Sequence, residues 1–254
     1  MNGIDIIKYL ESMYPKELAY EWDNVGLQVG SLNKNVKKVL ITLDVTKEVV
    51  KEAISKQVDL LISHHPLIFK PIYNIQVESP RGWMIQKLIK HDIPLYTMHT
   101  NYDVAEGGMN DFLAKRLGIM DAQLLDSADE IGRFGKVTPR SLEETISFVK
   151  NTLHAPHVRL IGSTSKQIRS IGISGGSGAS HIAQAKRNDC DLYITGDVTY
   201  HSALDAIQMG QVVLDVGHHI EDIFMEAISD QIKQHFSELE VLISAINTDP
   251  YTQL

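Results

Sequence analysis

The stretch Val39–His65 reads VLITLDVTKEVVKEAISKQVDLLISHH. It contains an apolar run, a segment with helical periodicity and a second apolar run that ends in two histidines. A strand, a helix and a strand in this order predict a parallel βαβ unit. The stretch Ile171–Asp197 (IGISGGSGASHIAQAKRNDCDLYITGD) aligns with it without a gap. We therefore predict an α/β fold of two similar domains, each built on a mainly parallel sheet.

Short apolar runs bounded by polar residues or glycine are predicted as strands. They are Val39–Val45, Leu60–Ser63, Leu95–Met98, Ile171–Ser174, Leu192–Thr195 and Val212–Val216. Segments with helical spacing separate them, namely Lys47–Lys56, Arg81–His91, Ser177–Arg187 and His201–Gln208. An amphipathic helix is also expected at the N-terminus, with Ile4, Ile7, Leu10 and Met13 on one face.

The rest of the chain fixes the expected domain limits. The region Gly132–Gly162 carries GRFGKV, a helical segment at Leu142–Leu153 and HVRLIG, which we assign to the second domain. The tail contains a predicted helix at Glu221–Phe236 and a strand at Val241–Ala245, which we expect to return to the first domain. The first domain is thus predicted to be residues 1–125 plus 220–254, and the second 126–219.

Composition excludes several classes of protein. The net charge is -8 and no basic run is present, so a nucleic-acid partner is not expected. The single cysteine, Cys190, excludes an intrachain disulfide and a thiolate metal cage, and we expect it in the core. We find neither a signal peptide nor an apolar run of about 20 residues, so no membrane association is expected. A cytoplasmic protein is the expectation.

Metal-binding residue types follow three predicted strands. His64 and His65 end one, Asp103 follows the next, and His218 and Glu221 follow Val212–Val216. Ligands of parallel α/β sheets bind outside the carboxyl ends of the strands. Each group alone has an ordinary explanation: a solvated histidine pair, a capping Asp, or a first-turn Glu. Their joint occurrence at one side of the sheet favours a metal site, and histidine with carboxylate suits Zn, Fe, Mn, Co or Ni.

Spacing constrains the geometry of these residues. Adjacent side chains on an extended strand point to opposite sides, so His64 and His65 would serve two neighbouring ions, or one ion if the chain turns. His218 and Glu221 are three residues apart and would share a face if a helix begins there.

Three other parts of the sequence each allow two interpretations. The turn Gly175–Gly178 could cradle a phosphate or be a plain tight turn. Asp197 and His201 could support the site or carry protons, although Asp197 could also cap a helix. The pair Asp23 and Asn24 could approach the site or form an Asx turn.

Six ordered motifs resemble the GTP cyclohydrolase type 2 homologues, also called the NIF-like family. They are WDNVGLQVG (22–30), SHHPLIFK (63–70), HTNYDVAEGGMNDFLAKRLG (99–118), SGGSGAS (174–180), ITGDVTYH (194–201) and DVGHHIE (215–221). The resemblance covers nearly the whole chain, in the short form without an inserted middle domain. It implies two related α/β domains with a dinuclear metal site between them and a ring-shaped homohexamer. The implied ligands are His64, His65, Asp103, His218 and Glu221, with Glu221 bridging two divalent ions.

The resemblance also implies a reaction, which is opening of the GTP imidazole ring with loss of formate. A hydroxide on the metal would attack the C8 carbon, and His99, Asp197 or His201 would transfer protons. A phosphoesterase or peptidase-like hydrolase could use the same centre on another small substrate. The alternative is a non-catalytic metal-binding or regulatory scaffold that acts through protein partners. Basic residues near the site, of which Lys70 and Arg81 are candidates, would favour a nucleotide.

Overall fold

The computed structural model describes residues 1–252 of the 254-residue chain. It divides into two compact units: Met1–Ala105 with Asp222–Tyr251, and Glu106–Glu221 with Thr252. The first break therefore lies earlier than the predicted one at 125/126, because the strand at Met120–Asp126 pairs within the second sheet. Glu221, expected in the first domain, belongs to the second unit.

Helices and strands alternate along most of the described chain. The helices are α1 Gly3–Met13, α2 Lys47–Ser55, α3 Pro80–Lys90, α4 Thr100–Val104, α5 Met109–Arg116, α6 Leu142–Thr152, α7 Ile182–Arg187, α8 Tyr200–Met209 and α9 Ile223–His235. The strands are β1 Gly26–Val29, β2 Lys38–Thr42, β3 Leu60–Ser63, β4 Leu95–Thr97, β5 Met120–Asp126, β6 Ile131–Arg140, β7 Arg159–Ile161, β8 Ile168–Ile173, β9 Leu192–Thr195, β10 Val213–Asp215 and β11 Glu240–Ile243. Turns of 3-10 helix lie at Lys16–Leu18, Ala179–His181 and His218–Asp222.

The first unit contains a five-stranded sheet in the order β1-β4-β3-β2-β11. Strands β11, β2, β3 and β4 are parallel, and β1 is antiparallel to β4. All four residues of β3 are buried, as expected for a central parallel strand covered on both faces. The return of the C-terminal strand to this sheet is confirmed by the pairing of β11 with β2.

The second unit contains a six-stranded sheet in the order β5-β6-β8-β9-β10-β7. Its centre, β8, β9 and β10, is parallel, while β5, β6 and β7 are antiparallel additions. The repeat is present in the parallel cores, because β2-α2-β3 and β8-α7-β9 are both parallel units followed by a third parallel strand. Three of the five strand pairings in the second sheet are antiparallel, so the prediction that this sheet is mainly parallel is wrong. The antiparallel strand β5 was missed, because five of its seven residues are exposed and give no apolar run.

The N-terminal helix α1 is confirmed, with a corrected face. Its buried residues are Gly3, Ile6, Ile7 and Leu10, whereas Ile4 is 36% exposed. The side chain of Asn2 accepts a hydrogen bond from the backbone N–H of Ile4 and so caps the helix. Among residues 1–252, no helix combines the length and the apolar character that crossing a membrane requires.

Candidate metal centre

The histidine pair of the first unit lies just beyond the carboxyl end of β3. The strand stops at Ser63, so the alternation of an extended chain does not continue through the pair. The rings of His64 and His65 tilt towards each other, with centroids 4.9 Å apart. Potential ligand atoms of His64, His65 and His99 lie within 4.8 Å of one another. The turn after β3 thus brings together side chains that a continued strand would separate.

Each histidine of this pair has its Nδ1 atom held by an acceptor. Nδ1 of His64 lies 2.8 Å from the carbonyl oxygen of Met98, and Nδ1 of His65 lies 2.8 Å from Oδ1 of Asp44. A carbonyl oxygen can only accept, so Nδ1 of His64 carries the proton and Nε2 presents the lone pair. Asp44 was missed in the sequence, although its position just past β2 was a usable signal.

His99 has the same arrangement with a buried partner. Its Nδ1 lies 2.9 Å from Oδ1 of Asp23, whose Oδ2 accepts hydrogen bonds from the backbone N–H (3.1 Å) and the hydroxyl (2.6 Å) of Thr100. Burial raises the pKa of Asp23, but these hydrogen bonds and the positive charge of the protonated His99 ring outweigh burial and lower that pKa to about 2. Asp23 is therefore an ionised anchor at neutral pH, and its interpretation as a residue near the site is supported.

Asp103 supplies a carboxylate beside this cluster. It lies on α4, which follows β4 after two intervening residues and so projects from the same end of the sheet. Its Oδ1 atom is 3.5 Å from Nε2 of His64. Both side chains are buried, with His64 fully enclosed at 0% exposure. His64, His65 and Asp103 of the predicted ligand set therefore occupy one end of the first sheet.

In the second unit, His218 and Glu221 lie on the 3-10 turn that follows β10. Residues three apart are eclipsed on a 3-10 helix, and Nε2 of His218 is 3.1 Å from Oε2 of Glu221. Nδ1 of His218 is 2.7 Å from Oδ2 of Asp197, which follows β9. The expected shared face is present, and Asp197 contacts a predicted ligand. The predicted helix begins slightly later, at Ile223.

The remaining candidates take other positions. His201 is exposed on α8 and belongs to none of the groups of potential metal ligands among the described residues. Cys190 is buried, which raises the pKa of its thiol to about 12, so the expectation of a core residue is confirmed. Lys70 and Arg81 are exposed. Asp126 and Asp129, between β5 and β6, form a further group of potential ligands with His181, which ends the 3-10 turn before α7.

Exposed aromatic rings surround His99. The ring of Trp22 lies 6.2 Å and that of Phe69 6.3 Å from the His99 ring, and the two are 5.8 Å apart. Trp22 is 59% exposed. The loops that carry them are joined by hydrogen bonds, since Asn24 donates to the carbonyl of Ile68. An open aromatic surface is therefore fixed beside the histidine cluster.

Comparison with known proteins identifies the family and the fold of this chain. The family model DUF34/NIF3 (NGG1p interacting factor 3) matches residues 1–250. The chain belongs to the DUF34/NIF3 family. It is 36% identical to a Streptococcus pneumoniae protein named GTP cyclohydrolase 1 type 2 homolog (99% of each chain covered), and 39% identical to a Clostridium perfringens protein of the same name (97% of each). A solved Bacillus cereus protein related to NIF3 superposes with a TM-score of 0.94 at 28% identity, covering 100% of this chain and 99% of the other.

Proposed function

We propose that this member of the DUF34/NIF3 family is a metal-dependent hydrolase that acts on a nucleotide or another small molecule. The proposed ligands are His64, His65 and Asp103 from the first unit and His218 and Glu221 from the second, serving two divalent ions. The observation that carries the proposal is the orientation of the histidines. All three have Nδ1 held by an acceptor, at 2.8, 2.8 and 2.7 Å.

Such orientation is what metal coordination requires of histidine. A hydrogen bond at one ring nitrogen fixes the tautomer and the ring plane, and it leaves the other nitrogen as the ligand. In both units that nitrogen, Nε2, faces a carboxylate: Asp103 for His64 and Glu221 for His218. Imidazole with carboxylate suits Zn, Fe, Mn, Co or Ni. The residues present therefore fit divalent ions.

When bound, such ions would supply Lewis acidity, which acidifies water and polarises a substrate oxygen. The chain itself supplies the ligands and their orientation. His65 and His218 are held by Asp44 and Asp197, so that little reorganisation is needed on metal binding.

Proton transfer is best supported at His99. Its Nδ1 atom is fixed by the ionised Asp23, which leaves Nε2 to accept a proton from water or from the substrate. A carboxylate that orients a histidine in this way also stabilises the protonated ring. His201 loses support for this role because it lies outside the ligand groups described above.

Trp22 and Phe69 support a substrate with a planar ring. Exposed aromatic side chains offer faces on which a nucleobase can stack, worth about 1–3 kcal/mol per base. The relatives' name, GTP cyclohydrolase 1 type 2 homolog, makes GTP the first substrate to test. The scaffold alternative would gain support if metals bind and no substrate is converted.

The test starts with protein purified without added metal, whose bound ions are measured by elemental analysis. GTP is then incubated with the metal-loaded protein, and nucleotide and formate are followed by chromatography. About two ions per chain with formate release, reduced in Asp23→Asn, would support the proposal. Two ions with intact GTP would contradict the GTP reaction, and absence of stable metal would contradict the ligand set. The homohexamer implied by the resemblance is tested separately by light scattering.

A further inference from the structure

The glycine-rich turn after β8 packs against the carboxylate of Glu221. A Cβ atom on Gly176 would lie 2.5 Å from Oε1 and 3.1 Å from Cδ of Glu221. A Cβ atom on Gly175 would lie 3.2 Å from the same Oε1. Ordinary contacts between carbon atoms are about 3.5–4.0 Å, so any side chain at Gly176 would overlap with the Glu221 carboxylate.

The turn itself is fixed on several sides by hydrogen bonds. The carbonyl of Gly176 accepts a hydrogen bond from the N–H of Gly196 (2.9 Å). The N–H of Gly178 donates to Oγ1 of Thr195 (2.9 Å), and the carbonyl of Gly178 accepts from the hydroxyl of Tyr193 (2.8 Å). These bonds tie the turn to β9 and the loop after it. A side chain added at Gly176 would therefore displace the carboxylate of Glu221 rather than the backbone of the turn.

Glu221 has little freedom to move elsewhere. It is 4% exposed, so a displaced carboxylate would have to find a new place within packed surroundings. Its Oε2 atom also lies 3.1 Å from Nε2 of His218. A small displacement by an added methyl group would change the geometry of both side chains.

We propose that the glycine-rich turn Gly175–Gly178 positions the carboxylate of Glu221 for metal binding, with Gly176 as the decisive positioning residue. This inference rests on the proposed function, since it requires Glu221 to be a ligand. It also favours the plain turn over the phosphate cradle. The anionic group that packs against Gly175 and Gly176 is the chain's own carboxylate, and the N–H groups of Gly175 and Gly178 donate to Asn110 and Thr195.

Gly176→Ala tests the inference, with Gly118→Ala as the matched control. Both glycines are left-handed, at φ +57° and +67°, so both substitutions carry a similar backbone cost. A Cβ atom on Gly118 meets no heavy atom within 4 Å. We expect G176A to weaken Zn²⁺ binding about 10- to 100-fold, as for loss of a residue that supports a ligand. G118A should change the affinity less than about twofold. Equal affinities in the two variants would overturn the inference.

A second pair of variants, which lack Glu221, distinguishes the positioning role of Gly176 from the ligand role of Glu221. Zn²⁺ affinity is measured by competition with a chromogenic chelator in Glu221→Ala and in the double variant G176A/E221A. We expect E221A to weaken binding and the added G176A to weaken it no further, because nothing is left to displace. Unchanged affinity in E221A would contradict the proposed ligand set. A loss in E221A without a loss in G176A would contradict the positioning role alone.

Folding is controlled by far-UV circular dichroism of each metal-free variant. If G176A does not fold, Gly175→Ala replaces it, because Gly175 is not among the residues with positive φ and its Cβ would still lie 3.2 Å from the carboxylate. We expect a smaller loss of Zn²⁺ affinity in G175A, again abolished in the E221A background. A loss of equal size in G175A with and without Glu221 would overturn the inference.

Discussion

The two units share a parallel βαβαβ core and place histidine with carboxylate beyond the strand ends, yet they hold these groups differently. In the first unit His64 is fully buried and bonded to a backbone carbonyl. In the second, the His218 side chain is 37% exposed on a 3-10 turn and depends on Asp197. The orientation of His64 thus comes from burial and a backbone carbonyl, whereas that of His218 comes from a carboxylate. The same fold offers two routes to a fixed ligand.

The largest expected difference concerns the free energy of unfolding without metal. His64→Ala should lower it by about 2–4 kcal/mol, since it leaves a cavity beside Phe224 and an unpaired carbonyl at Met98. His218→Ala should lower it by less than about 1 kcal/mol because the ring is partly exposed. Urea unfolding followed by circular dichroism measures both. Equal losses of unfolding free energy in the two variants would contradict the proposed difference between the units.

The next difference concerns the carboxylates that orient the histidines. Asp197→Ala should weaken Zn²⁺ binding about 10- to 100-fold, because His218 loses the bond that fixes its ring. Asp44→Ala should weaken it less, because the neighbouring rings of His64 and His99 still confine His65. Chelator competition gives the affinities, and the exposed Asp230→Ala on α9 serves as the control. A larger loss in Asp44→Ala would reverse the proposed order.

The smallest difference concerns acid stability. Burial raises the pKa of Glu52, but hydrogen bonds from Lys56, Ser244 and Ala245 outweigh burial and lower that pKa below 4.5. A lowered folded-state pKa stabilises the fold above about pH 4.5, and this contribution is lost as the pH falls through the folded value. Glu52→Gln should therefore lower the unfolding free energy by about 1 kcal/mol at pH 7 and very little at pH 3.

The matched variant in the second unit is Glu144→Gln. The backbone N–H and the hydroxyl of Ser141 lower the pKa of Glu144 on the exposed first turn of α6. We expect a smaller loss than in Glu52→Gln, because Glu52 is buried and ties the segment after β11 to α2. Urea unfolding at both pH values measures the pair. A pH-independent loss in Glu52→Gln would contradict the assigned cause.

The sequence predicted the parallel core of both units because its strands are continuous apolar runs. The antiparallel strands β1 and β5 gave weaker signals. Strand β1 is short and pairs with β4, which is distant in sequence, and five of the seven residues of β5 are exposed. Ligand-type residues were visible at the strand ends. Their anchors were harder to predict, because Asp44 and the carbonyl of Met98 reach their histidines only after strands pair. The role inferred for Gly176 needed the position of the Glu221 side chain.

Five residues are proposed to hold the metal: His64, His65, Asp103, His218 and Glu221. The most direct test replaces His65 and Glu221 with Ala in one chain, one substitution in each unit, and measures bound metal by elemental analysis. A matched double variant, His157→Ala with Glu238→Ala, changes an exposed histidine and an exposed glutamate. We expect the first variant to lose its metal with an unchanged far-UV circular dichroism spectrum, and the second to keep about two ions per chain. Wild-type metal content in the His65→Ala/Glu221→Ala variant would contradict the assignment of these residues as metal ligands.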